Sequence, residues 1–273
     1  MPSNTIDLSF VKQFESDVHL AYQRFGSKLL NTIRRKTNIV GSSTTFQKIG
    51  KGQASKKARN GQVNVNNLVH EPIEVILEDW YSAEWLDKLD ELKINHDERM
   101  AQARSISAAL GRKADDLIVQ AAVLSPNATA AAGGLTLPKV EEAFEFFGDL
   151  DVPDDGQRFM AVSPAGWTDL MSLPQFSSAD YVPVAEQPYP MIGYTAKRFM
   201  SFYVFQFSGL NKAGDVRQCL AYHSTAVGGA SGAEVSLDIT WQGKEQAWLS
   251  VASMSQGAKI IDEDGVYRLQ VTE

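Results

Sequence analysis

Apolar positions near the start of the chain recur at three- and four-residue steps. Between Asp7 and about Arg24 they are Phe10, Val11, Phe14, Val18, Ala21, Tyr22 and Phe25, a spacing that predicts an amphipathic N-terminal arm helix. Residues 41–70 change character, with Gly, Ser, Asn and Lys around short strand-like pieces at Phe46–Ile49 and Val63–Val65. Such a composition suits a long protruding hairpin. Ile73, Val75 and Leu77 then alternate with their neighbours at a period of two, predicting a strand that leads into the aromatic and acidic run DWYSAEWLDKLDEL. Asn95 followed by Glu98 resembles a capping box, and from Asp97 to Leu124 there is no Pro and only Gly111 as a breaker. One long helix follows from this. Its 28 residues would span roughly 40 Å. Ala103, Ile106, Leu110, Ala114, Leu117, Ala121 and Leu124 lie on one stripe of it, of the kind that packs on a sheet.

Ser125–Leu137 reads as a flexible connection, and Pro138 opens a second amphipathic helix through Val140, Ala143, Phe144 and Phe147, with Glu141, Glu142 and Glu145 on its outer face. The remaining pattern is mostly strands. They are Phe159–Val162, the aromatic run Phe199–Phe207, the alternation Val235, Leu237, Ile239, Trp241, and a closing pair, Trp248–Met254 and Val266–Val271, joined by a turn with Asp262, Asp264 and Gly265. A short helix follows Pro164. Consecutive apolar residues in the aromatic run fit a strand buried on both faces, the commoner case, or an intersubunit or ligand patch. Long helices with separate clusters of strands make an α+β chain, without the alternation of a βαβ sheet.

Charge sharpens this picture. The net charge is −7, yet residues 18–70 hold ten basic side chains and no Asp or Glu, while residues 71–98 carry ten acids against Lys88 and Lys93. The basic stretch can be a solvated loop, a nucleic-acid contact or a strap that docks on acidic protein surface. Only Phe46 lies among Lys48, Lys51, Lys56, Lys57 and Arg59, so the aromatic platform of single-strand binders is missing, although nonspecific phosphate contact needs none.

Composition and motifs narrow the chemistry. A chain of 273 residues, 44% hydrophobic, can bury a core as one large domain or two joined subdomains. The single cysteine, Cys219, has no disulfide partner within the chain and reads as a core filler. No signal-peptide pattern opens the sequence, and no run of about 18 uncharged apolar residues predicts a membrane span. The four histidines (His19, His70, His96, His223) have no ligand spacing for a metal. The glycines of IGKGQASKK lack P-loop spacing, and GxSxG is absent. Carboxylates such as Asp115 and Asp116 sit where a solvated helix face would place them. No catalytic residue, metal site or cofactor is expected.

The order of elements and several strings resemble the major capsid proteins of tailed double-stranded DNA phages, with their HK-ninety-seven-type fold. The strings are FVKQFESDVHLAYQRFGSKL, GSSTTFQKIGKG, the pair LDELKINHDER and ALGRKADDLIV, FMAVSPAGWTDLM, and AWLSVASMSQGAKIIDEDGVYRLQV. The resemblance covers nearly the whole chain. It implies an N-arm at 1–40, an extended loop at 41–70, a peripheral domain from 71–124 and 246–273 with its spine helix at 95–124, and an axial domain at 125–245. It implies a subunit that self-assembles as pentamers and hexamers into an icosahedral head. Portal, scaffolding and decoration proteins and nonspecifically held double-stranded DNA would be its partners, with no membrane. The place would be the virion capsid, assembled in the host bacterial cytoplasm. Some relatives cross-link a loop lysine to a neighbour's asparagine, but no partner residues for that are fixed here and noncovalent assembly is expected. With the loop beginning by about Gly41, no large N-terminal scaffold domain and no large cleavage of the chain are expected.

Charge complementarity adds an expectation about contacts. The loop cations Lys48, Lys51, Lys56, Lys57 and Arg59 should dock on a neighbour's acidic surface, much of it from Glu78, Asp79, Glu84, Asp87, Asp90 and Glu91. The alternatives are an encapsulin-like bacterial compartment shell and, third, a basic nucleic-acid-binding module.

Overall fold

The computed structural model of the chain describes residues 23–91, 98–130, 133–177 and 196–273. The arm helix of Asp7–Arg24, the Asn95 cap, His19 and His96 therefore fall outside the described residues, except for the last few positions of the arm. In chain order the strands are β1 (Arg34–Lys36), β2 (Ser43–Ile49), β3 (His70–Ile76), β4 (Glu78–Asp87), β5 (Arg158–Val162), β6 (Ala196–Phe199), β7 (Phe202–Gln206), β8 (Lys212–Ala213), β9 (Val216–His223), β10 (Val227–Gln242), β11 (Ala247–Ile260) and β12 (Val266–Thr272). The α-helices are α1 (Lys88–Glu91), α2 (Glu98–Val123), α3 (Leu137–Asp149), α4 (Pro164–Met171) and α5 (Pro174–Ser177).

These strands form three groups. A six-stranded sheet runs β12-β9-β5-β7-β6, with β8 paired to β9. A four-stranded sheet runs β1-β10-β11-β4, and β2 pairs with β3 as a separate antiparallel ladder. Pairing is antiparallel apart from β5 with β7 and β1 with β10. A crossover that contains α4 makes the β5–β7 pair parallel, because a hairpin cannot return a strand in the same direction.

The six-stranded sheet lies in the main core. Phe147, Phe176, Phe202, Phe205 and Phe207 are fully buried there, together with Met160, Leu170 and Leu220. Their rings meet at tilted or edge-on angles, Phe147 with Phe202 at 5.5 Å and Phe176 with Phe199 at 5.3 Å, the arrangement that the ring quadrupole favours. Helix α3 begins at Leu137 with Pro138 in its first turn, where a missing N–H costs nothing. Helix α4 is capped by Ser163, whose hydroxyl accepts from the Gly166 amide at 3.0 Å. Cys219 is fully buried, as a core filler should be, and burial pushes its thiol up to about 11.

Helix α2 joins the two sheets. Ile106, Leu110 and Ala114 meet Ala252 and Met254 of the four-stranded sheet, whereas Ile118, Val119 and Ala122, nearer its C-terminus, enter the main core. The stripe along α2 is thus buried as its spacing predicts, except that Leu117 is half-buried and Leu124, past the end of the helix, is exposed.

Five expectations from the sequence are revised. Asp115 is not on a solvated face: it is 0% exposed, while Asp116 is half-buried. The connection after α2 is fastened along β12, through the Ala128 bridge to Arg268, the Thr129 amide on the Arg268 carbonyl at 2.9 Å and the Ser125 hydroxyl on the Val266 carbonyl at 2.9 Å. The aromatic run is two strands, because Met200 and Ser201 take positive φ and turn the chain back. Val63–Val65 forms no strand. The closing strands also part company: β11 pairs with β10 and β4, but β12 pairs with β9. A division of the chain at residue 245 therefore falls inside the β10–β11 hairpin.

Candidate functional site

The hairpin begins at a buried root. Phe46 of β2 and Val75 of β3 are buried with Ala230 and Ile261 in a small core, and the Lys36 ammonium lies 4.7 Å from the Phe46 ring centroid. From there the ladder runs from Ser43 opposite Ile76 to Ile49 opposite His70, and one further bond joins the Gly50 amide to the Val69 carbonyl at 2.9 Å. Beyond it, residues 51–69 pair with no strand and are exposed apart from Gly61. The tip turns at Asn60, which has positive φ, with the Gly61 amide donating to the Ala58 carbonyl at 3.0 Å. Asn tolerates this left-handed backbone better than most residues.

The five loop cations separate into two groups. Lys48 donates to Asp262 of its own chain at 2.9 Å, a hydrogen bond that raises its pKa. Lys51 donates to the Leu150 carbonyl at 3.2 Å. Both fasten the root of the hairpin to the body of the same subunit. Lys56, Lys57 and Arg59 are exposed in the part beyond the ladder.

The acids are arranged by strand geometry. β4 is an edge strand of its sheet, so one side of its backbone is open. Side chains alternate across a strand. Trp80 and Leu86 therefore point toward α2, where the Lys113 ammonium sits 3.9 Å from the Trp80 ring centroid, and Glu78 and Glu84 share that side. Asp79 and Asp87 share the other side with Tyr81, 71% exposed, and Trp85, 49% exposed. Asp90 follows in α1, exposed, and Glu91 ends that helix with its side chain outside the described residues. The run that looks continuous in sequence is thus two acidic rows with aromatic residues between those on the open face. Cross-strand neighbours widen that face: Leu249 lies opposite Trp85 and Val251 opposite Ala83.

A third feature was not legible in the sequence. The strap from Gln23 to Leu29 crosses α2 and is held there by the buried Asp115. The carboxylate accepts from the amides of Lys28 at 3.1 Å and Leu29 at 3.0 Å and from the Ser27 hydroxyl, and it pairs with Arg24 at 3.2 Å. Burial raises the pKa of Asp115, while these donors and Arg24 act against the rise. Arg24 also lies 4.4 Å from the centroid of Phe207 in the main core. The crossing needs Gly111, since a Cβ there would come within 2.8 Å of the Gly26 backbone. Only the glycine inside an otherwise continuous helical pattern could have signalled it.

Among the described residues no group of three or more His, Cys, Asp or Glu could hold a metal ion, and no helix is long and apolar enough to cross a membrane. His223 is buried, with its ring nitrogens at 2.7 Å from the Thr225 hydroxyl and 3.0 Å from Asp155.

Two sheets bridged by one long helix, with a hairpin reaching past its own ladder, form the HK-ninety-seven-type fold of phage capsid subunits. The structure is similar to the capsid protein of cyanophage P-SCSP1u, with a TM-score of 0.74, 18% identity and coverage of 98% of this chain and 94% of that one. It is similar to a protein of Mycobacterium phage Che8 (TM-score 0.74, 16% identity, 95% and 97% coverage) and to the capsid of Ralstonia phage GP4 (0.72, 13%, 100% and 98%). Matching the family model over residues 6–273, the chain belongs to the phage capsid protein family. No curated protein matches it in sequence. Its function is that of a major capsid protein, a structural subunit of a phage shell located in the virion capsid. The family match lends nothing to the compartment-shell or nucleic-acid-module alternatives, and membership of a structural family points away from catalysis.

Proposed function

We propose that the protein assembles as pentamers and hexamers into a closed icosahedral head around double-stranded DNA. In this assembly the hairpin of one subunit docks on the acidic edge of its neighbour. The observation that carries the docking is the exposure of Lys56, Lys57 and Arg59 beyond the ladder, within a stretch of sequence that holds no acid. Glu78, Asp79, Glu84, Asp87, Asp90 and Glu91 supply the opposite charge along an edge strand. Lys48 and Lys51 serve the same contact indirectly, by setting the angle at which the hairpin leaves the body. A segment that buries so little within its own chain is costly to order unless a neighbour orders it. Single exposed ion pairs contribute only about 0–1 kcal/mol each, so the contact draws its strength from repetition around the shell.

The domain division we propose follows the sheets. The peripheral unit takes β4, β10, β11 and α2, the axial unit takes the six-stranded sheet with α3, α4 and α5, and residues 1–40 and 41–70 are the arm and the extended loop. Portal, scaffolding and decoration proteins are the expected partners, the packaged DNA is contacted nonspecifically, and assembly takes place in the host bacterial cytoplasm.

The test is the double reversal Lys56→Glu with Lys57→Glu. The expected outcome is a folded subunit, by circular dichroism, that forms few closed particles in electron micrographs, and wild-type assembly that slows as salt is raised. A variant that assembles normally but packages DNA poorly would reassign the hairpin to nucleic acid.

A further inference from the structure

The alternation of Val63 and Val65 with polar neighbours finds no use within the subunit. Both valines are exposed, at 67% and 82%, and residues 62–66 make no backbone hydrogen bond among the described residues, since the hairpin's pairing stops at Gly50 and Val69. β-Branched residues at every second position favour a strand with one apolar face, so the segment has the pattern of a strand and lacks a partner. Edge strand β4 has the complementary need. β11 holds one side of its backbone, and the other side meets no strand among the described residues. An unpaired edge of this kind is a template for an added strand.

We propose that residues 62–66 of a second copy pair with the open edge of β4 and extend the four-stranded sheet by one strand. The inference rests on the docking of the hairpin proposed above and adds how its backbone is held. Charge selects the occupant. β4 carries Glu78, Asp79, Glu84 and Asp87, so two copies of β4 side by side would set like charges opposite each other, which destabilises a ladder. Residues 62–66 carry no charge, and Lys56, Lys57 and Arg59 just before them bring the opposite sign. Length is compatible, because a segment of about five residues is an ordinary strand and β4 offers 10. The side chains match as well. On a strand Val63 and Val65 share one face, and beside the exposed Tyr81 and Trp85 they make the aromatic and β-branched neighbours that stabilise adjacent strands. Asn64 then falls on the side of Glu84, whose carboxylate can accept from its side-chain amide.

Hydrogen exchange of the isolated subunit and of assembled particles, read by mass spectrometry, tests it. Amides of residues 62–66, and those of β4 that β11 does not hold, should exchange at least about tenfold more slowly in particles. Val63→Pro and Asn64→Pro, made separately, sharpen the reading. Adjacent amides of a strand point to opposite sides, so one of the two prolines removes a ladder donor and the other does not. One should therefore lower the particle yield about tenfold or more and the other by less, with both subunits folded because the segment is exposed and unpaired there. Exchange that stays fast in either segment, slowing on residues 233–242 of β10 in place of β4, or a yield untouched by both prolines overturns the pairing. If Lys56→Glu with Lys57→Glu blocks assembly while those amides exchange alike in subunit and particle, the hairpin docks through side chains alone, and only the strand pairing falls.

Discussion

The six-stranded unit and the four-stranded unit of this chain use their apolar residues in opposite ways. Around the six-stranded sheet, phenylalanines are enclosed on every side, and one continuous core reaches from Leu29 to Val271. Between α2 and the four-stranded sheet, the buried cluster among the described residues is small, made of Ile106, Leu110, Ala114, Ala252 and Met254, while Tyr81, Trp85, Val235, Leu237 and Trp241 remain exposed. Scattered exposed apolar residues are ordinary, but aromatics on the open face of an edge strand are the signature of contact surface. One unit is completed by its own chain. The other leaves apolar surface open, as expected of a subunit whose work is association.

Substitutions in the two units should therefore have different consequences. The largest effect should come from Phe205→Ala in the enclosed core, a loss of about 3–5 kcal/mol, read as a lowered denaturant midpoint or as failure to recover soluble subunit. Slightly smaller, about 3 kcal/mol, should be the cost of Asp115→Ala, which leaves buried donors of the strap and Arg24 without their acceptor. Its pH dependence has a definite sign. Because burial raises the folded-state pKa of Asp115 above its unfolded value, its contribution favours the folded state below the unfolded pKa and is lost as pH rises through the folded one. Stability measured by urea unfolding should therefore rise for the wild type, relative to Asp115→Asn, as pH is lowered from neutral toward 4. An unchanged difference between the two across that range would contradict the assignment.

Smaller still is the expected effect of Lys48→Met, about 0.2–1 kcal/mol, because its pair with Asp262 is partly exposed. Trp85→Ser should change subunit stability least, within about 0.5 kcal/mol, yet lower the yield of particles in sedimentation. If Trp85→Ser destabilised the isolated subunit as strongly as Phe205→Ala, the open face would be part of a core and the contrast between the two units would collapse.

Much of this architecture was legible in the sequence, because period and composition act locally. The three- and four-residue steps of Ala103, Ile106, Leu110 and Ala114 dictate a helix with one buried stripe. The alternation around Val75 dictates a strand, and a polar, lysine-rich stretch between two apolar pieces dictates a hairpin. The aromatic run was read as buried for a sound reason, consecutive apolar residues, but its length concealed the turn at Met200 and Ser201.

Partners far apart in the chain left no such local mark. No local signal in the sequence distinguishes Asp115 from Asp116, yet the strap passes over one and not the other, and burial follows from that crossing. Likewise, the adjacent closing strands β11 and β12 look alike in pattern, and only the pairing energies of whole sheets send one to β10 and the other to β9. The acid-rich run shows the same limit. Its charge was fixed by composition, but which acids share a surface with Tyr81 and Trp85 was set by the face of β4 that α2 covers. Spacing along the chain determines what each element is, whereas long-range packing determines which of its faces is left open.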